Sequence, residues 1–205
     1  MAHSEELAKT EELALNGHRK SHTEEKRVLI QVFLINALMF LVDLVGGLLA
    51  QSTGLLADSL DMFADASVFA LSIFVVGKPL LLKKRASRLS GYLQMILAIG
   101  AFCEVVRRFV VGSEPEAPLM IVIAVIAITA NAYCMWLLTK HRNGEVHMRA
   151  SWIFLSTDVI ANAMVIFAGI LVKASGSHLP DLIAGILIAA IVFWGSIRIL
   201  RISSS

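Results

Sequence analysis

The chain has 205 residues, of which 57% are hydrophobic and 17% charged, and its formal net charge is +2. With a mean hydropathy of +0.76, it lacks the polar residues that a water-soluble domain of this length needs to cover itself. It reads as an integral membrane protein, and the placement of its charges says more than their sum.

Residues 1–27 are a charged tail of mixed sign, expected as a short surface helix or as disordered chain. Within it His18 and His22 are four apart and His3 is nearby. A solvated tail is the preferred reading over a metal-delivering pair. Six apolar segments follow, at 28–50, 54–76, 89–111, 118–139, 148–172 and 180–200. Each is about 20 residues or longer, enough for a helix to cross a hydrocarbon core of ~30 Å. In lipid the backbone must satisfy its own hydrogen bonds, so helices are the default. The first two segments are joined only by "QSTG", a tight hairpin. The expectation is an all-α membrane protein: a six-helix transmembrane domain over 28–201 and a short tail over 202–205.

All but three of the 18 basic residues fall on one side of this arrangement. They lie in the first tail, in the stretch from Lys78 to Arg88, between spans four and five, and at Arg198 and Arg201. The exceptions are Arg107, Arg108 and Lys173. The positive-inside rule therefore places both termini in the cytoplasm. Cys103 and Cys134 lie inside spans, offer no disulfide framework, and read as packing residues. His141 and His147 flank a cytoplasmic loop and His178 lies in another; no second ligand pattern supports any of them.

The acids are distributed unevenly. Every Asp lies within or at the edge of a span: Asp43, Asp58, Asp61, Asp65, Asp158 and Asp181. Of the Glu residues, only Glu104 is well inside one, three positions before Arg107, where an intrahelical ion pair is expected. A charged Asp at mid-membrane costs roughly 2.5–3.5 kcal/mol on insertion scales. Asp181 follows Pro180 and suits the N-terminus of the last helix. Asp43 reads either as helix glue or as lining a path to a site. Gln31, Asn36 and Asn131 read as helix glue, and Gly46, Gly47 and Gly185 as sites of close helix approach.

Asp58, Asp61 and Asp65 are different. At ~100° per residue they form a narrow stripe on the second helix, with Asp61 and Asp65 one turn apart. Such a stripe must face the bundle interior or an aqueous cavity. Carboxylates so spaced can share one divalent cation. Held in poorly solvated surroundings they keep protons until metal arrives and expels them; a metal-free proton relay would use the same parts. The fifth span repeats the pattern: "DVIANA", carrying Asp158 and Asn162, matches "DMFADA", carrying Asp61 and Asp65. The first and last spans echo each other in "DLVGGLLA" and "DLIAGILIA". Internal repeats of this kind point to a site between the halves of a transporter.

"GLLADSLDMFADA" and "HMRASWIFLSTDVIANA" resemble the second- and fifth-helix motifs of the cation diffusion facilitator family, six-helix proteins that exchange divalent metal ions for protons. The resemblance covers about residues 28–200. It implies a mid-membrane metal site made by two residues four apart on each of these helices. On the second helix they fall on Asp61 and Asp65. The fifth-helix pair is typically His then Asp; here the Asp is Asp158 and the His position is Phe154. Asn162, one turn on, is a further oxygen donor, and Asp58 and Asp43 are secondary candidates.

Phe154 removes the nitrogen ligand. The remaining all-oxygen set suits harder or less selective binding, Mn²⁺, Fe²⁺ or Co²⁺, whereas the family resemblance implies Zn²⁺. Family members usually carry a cytoplasmic domain after the last helix; none is expected in the short tail here. The resemblance implies a secondary transporter, not an enzyme, exporting Zn²⁺ or a related ion (Mn²⁺, Fe²⁺, Co²⁺ or Cd²⁺) from the cytoplasm in exchange for protons by alternating access. The expected location is the inner (plasma) membrane. No cofactor is expected beyond the transported ion. Expected partners are divalent ions, protons, the bilayer and a homodimer, with no nucleic acid. Two alternatives remain from the residues themselves: a proton-coupled exporter of organic cations, whose pocket would need more aromatic walls, and a non-transporting membrane subunit.

Overall fold

The structure, a computed structural model, describes residues 2–139 and 146–204, with side chains described over 23–139, at Trp152 and over 155–201. Expectations resting on the side chains of His3, His18, His22, His141, His147 and Phe154 lie outside the described residues.

Six helices follow in order: α1 (Ala2–Leu49), α2 (Thr53–Val75), α3 (Leu80–Val111), α4 (Ala117–Leu138), α5 (Val146–Ser175) and α6 (Leu179–Ser204). α1 runs unbroken from the tail into the first span. α3 begins nine residues before the apolar segment predicted at 89, because Leu80–Leu82 and the Lys/Arg stretch after them are good helix formers with no breaker beyond Pro79. Pro79, at its N-terminus, starts the helix rather than ending one.

The buried positions show why the helices pack. On α1, Leu29, Val32, Asn36, Met39 and Asp43 are buried at intervals of three and four, while Leu34, Leu38, Leu41, Val45 and Leu48 are exposed. One stripe faces the bundle and the other faces lipid. α4 divides likewise, with Met120, Ala127, Asn131 and Cys134 inside and Val122, Tyr133 and Trp136 outside. Lipid is as apolar as Leu, so helices associate through close packing. The interior is accordingly rich in alanine: Ala57, Ala98, Ala101, Ala124, Ala161, Ala168, Ala184 and Ala189 share one cluster.

Successive helices alternate in direction, which puts both termini at one end, with the basic residues of the α2–α3 connection. α2 is the hub, packed against α1, α3, α5 and α6. Among the described residues, five helices are long and apolar enough to cross a membrane. α2 falls short of that apolar measure because it carries three Asp, yet its 23 residues reach about 35 Å at 1.5 Å per residue. Its neighbours shield what lipid would not tolerate. At the end bearing the termini, buried side chains of α1, α2, α4 and α5 (Leu29, Val32, Phe69, Cys134, Leu138, Leu155) form a separate apolar cluster. The α3–α6 pair adds no buried side chain to it among the described residues.

One packing expectation is corrected. Cys134 is fully buried, but Cys103 is exposed: it sits on the outward face of α3 beside Phe102, also exposed.

Candidate functional site

The three α2 acids point inward. Asp58, Asp61 and Asp65 are all buried, as are Asp158 and Asn162 on α5 and Asp43 on α1. Asp61 has Asp158 and Gln94 of α3 as its hydrogen-bonding side-chain neighbours. Asp58 has Asn162 beside it and Asp43 and Asp65 within electrostatic reach. Asp158 in turn feels Asp65, Asp61, Asp58 and Cys134. α2 and α5 thus run antiparallel through the site: a step of three residues up one helix, from Asp61 to Asp58, matches a step of four down the other, from Asp158 to Asn162. In that register the residue opposite Asp65 is at or beside position 154.

The layer is conspicuous for what it leaves unpaired. Both carboxyl oxygens of Asp43, Asp58 and Asp65, Oδ2 of Asp158, Oδ1 of Asn162 and Oε1 of Gln94 have no hydrogen-bond partner among the described residues. Both amide atoms of Asn131 on α4 and Oδ1 of Asn36 on α1 share this state. Unpaired buried polar groups are rare because each costs on the order of 1–3 kcal/mol. A concentration of them within about 10 Å along a membrane bundle is the kind of place that receives a ligand or protons.

The residues present are oxygen donors, suited to a hard or borderline divalent cation. Asn162 is held by its own helix, its Nδ2 donating to the Asp158 carbonyl at 3.0 Å, which leaves Oδ1 to face outward from that bond. Among the described residues no three His, Cys, Asp or Glu side chains are gathered in the arrangement of a metal ligand set. Asp61 and Asp158 meet, while Asp58 and Asp65 stand as near neighbours. The layer is closed: Asp61 is the most exposed of its acids, at 4%, and the crevice beside it between α2, α3 and α6 is too narrow for a water molecule.

Two residues stand differently from what local sequence suggests. Gln94, 3% exposed, is the α3 contribution to the layer; a single amide in an apolar helix carries no distinguishing signal. Asp181 lies in the first turn of α6 as expected, but its carboxylate is bonded to α2: it accepts from Ser52 Oγ at 2.7 Å, from Thr53 N, and from Gly54 N at 3.0 Å. Glu104 pairs with Arg107 as expected and with Arg108 as well, at 2.6 and 2.8 Å.

Comparison with known proteins identifies the family. The sequence pattern described as the cation efflux transmembrane domain matches residues 84–205. The chain belongs to the cation efflux family. Similar curated proteins include the zinc transporter ZitB of Yersinia pseudotuberculosis, 25% identical over 202 residues, covering 92% of this chain and 64% of the relative. ZitB of Escherichia coli K12 is 27% identical over 204 residues, covering 91% and 64%. ZitB of Pectobacterium atrosepticum is 27% identical over 203, covering 90% and 62%. The chain thus spans somewhat less than two thirds of the length of these relatives. As a helical bundle of this family, it is a multi-pass integral membrane protein.

Proposed function

We propose that this cation efflux family member is a secondary transporter that exports a divalent transition-metal ion, Zn²⁺ or a harder relative such as Mn²⁺, Fe²⁺ or Co²⁺, in exchange for protons. The observation that carries the reading is the buried layer in which Asp61 of α2 meets Asp158 of α5, flanked by unpaired oxygens of Asp58, Asp65 and Asn162. The relatives named as zinc transporters support a metal substrate. Asp61, Asp65 and Asp158 are the proposed ligands, with Asn162 and water completing the shell; Asp58 and Asp43 are a second tier. Residues 28–201 form the transport domain, residues 1–27 a cytoplasmic tail and residues 202–205 a short C-terminal tail.

The chemistry follows from the layer. In the state open to the cytoplasm, metal displaces protons from carboxyl groups that lack other partners. Rearrangement of the helices then opens the layer to the opposite side, where protons return and metal leaves. The closed layer described above is an occluded form in this scheme. A homodimer is compatible with it but is not required by the site.

The test is metal uptake by sealed vesicles holding the purified chain under a proton gradient. Zn²⁺ or Mn²⁺ exchange is expected for the parent and should be lost in Asp61→Asn and Asp158→Asn. Variants that exchange metal as fast as the parent would refute the proposal.

A further inference from the structure

The short turn between α1 and α2 is tied down from three directions at the end of the bundle opposite the termini. From α6, the fully buried Asp181 carboxylate takes the Ser52 hydroxyl and the first two backbone N–H groups of α2, those of Thr53 and Gly54. From α3, the buried Arg108 guanidinium donates to the Gln51 carbonyl while Glu104 holds it from behind. From the α3–α4 connection, Glu116 N donates to the Ala50 carbonyl at 2.8 Å. Gln51 itself adopts a left-handed backbone conformation, φ 46°, which turns its carbonyl out of the helical ladder.

The Asp181 contact lands on the first turn of the helix that carries Asp58, Asp61 and Asp65. Helix N-termini leave backbone N–H groups unpaired and carry partial positive charge. Ser52 already caps α2 from within, accepting from Leu55 N at 3.1 Å. Asp181 therefore serves as a second, trans-acting cap, one that can exist only when α2 sits at a single height and rotation against α6. The packing enforces the same register. Gly185, one turn from Asp181, has no room for a side chain: a Cβ there would lie 2.8 Å from Thr53 Cγ2. Gly54 is similarly crowded: a Cβ there would stand 3.1 Å from Asp181 Oδ1 and 3.2 Å from Val165 Cγ2.

We infer that Asp181 is a positioning residue for the metal layer: its carboxylate registers α2 against α6 and thereby sets where Asp61 and Asp65 stand relative to Asp158. The inference rests on the proposed metal reading of the layer. Asp61 lies eight residues beyond Thr53, about 12 Å along the helix axis, so Asp181 touches no ligand and acts through α2. A slip of one residue would turn every α2 acid by about 100° and take the stripe out of register with α5.

The test uses the full chain purified in detergent, with Asp181→Ala, Asp181→Asn and Ser52→Ala compared with the parent. Two quantities are read: hydrogen exchange of the backbone amides at 53–58, and Zn²⁺ titration giving both Kd and the number of sites per chain. In Asp181→Ala the amides should exchange about tenfold faster. The Zn²⁺ Kd should rise about tenfold, the scale seen when groups supporting metal ligands are removed, with the number of sites unchanged. Asp181→Asn keeps one oxygen acceptor and should fall between. A merely structural role would lower the number of sites at the parental Kd, and that result overturns the inference, as does a parental Kd with parental exchange. If the parent bound none of Zn²⁺, Mn²⁺, Fe²⁺ and Co²⁺, the metal reading would fail, while exchange would still decide the α2 anchor: unchanged exchange in Asp181→Ala and Ser52→Ala would overturn it.

Discussion

Asp61 of α2 and Asp158 of α5 face each other across the middle of the bundle, their carboxyl groups in hydrogen-bonding contact with almost no solvent exposure. Two carboxylates cannot share that contact when both are ionised; a proton or a cation must lie between them. Metal arrival should therefore release protons. Zn²⁺ added to the parent in weakly buffered detergent is expected to acidify the medium, and a chelator to reverse it. Asp158→Asn should release fewer protons per chain, as read by an indicator dye or by calorimetry in buffers of different ionisation heat.

The absent imidazole at position 154 bears on metal choice. By the α2–α5 register, that position lies at the level of Asp65. Phe154→His should add a nitrogen donor and shift preference toward Zn²⁺ over Mn²⁺ by about tenfold. Competitive binding of the two ions to parent and variant measures the ratio directly. An unchanged ratio would place residue 154 away from the ion.

The spans, the inward stripe on α2 and the burial of Asp158 and Asn162 on α5 were legible in the sequence because a carboxylate in an apolar run is costly and must be explained. Asp58, Asp61 and Asp65 share a face by helical arithmetic alone. Gln94 was not legible: an amide costs too little in a helix to stand out, and its place beside Asp61 depends on how α3 packs. Asp181 was legible as a helix-start acid, but local spacing cannot say that its carboxylate crosses to α2 rather than capping α6. The outward turn of Cys103 likewise depends on which face α3 presents to its neighbours.

Arg107 and Arg108 are adjacent in sequence and unlike in role. The Arg108 side chain is 7% exposed and holds Gln51 and Glu104; that of Arg107 is 57% exposed. Arg108→Ala removes the buried guanidinium that ties the Gln51 carbonyl to Glu104 and should destabilise the fold by about 2 kcal/mol. Arg107→Ala should leave the thermal midpoint of the detergent-solubilised protein unchanged. Equal shifts in the two variants would contradict the arrangement of the α1–α2 turn.

Glycines on α6 and α3 offer a paired test of packing. Gly185→Val must push against Thr53 and should cost about 1–3 kcal/mol, read as a lower thermal midpoint. Gly100 and Gly195 have nothing within 4 Å of a would-be Cβ. Their replacement by Ala should stabilise the helices by up to about 1 kcal/mol each.

The most direct measurement is a Zn²⁺-binding cycle on the full chain with Asp61→Asn, Asp158→Asn and the double variant. If both carboxylates hold one ion, each single change should weaken binding severely, and the double change should weaken it little further, because residues acting as a unit are not additive. Parental affinity in either single variant, or losses that simply add, would show that α2 and α5 do not share an ion.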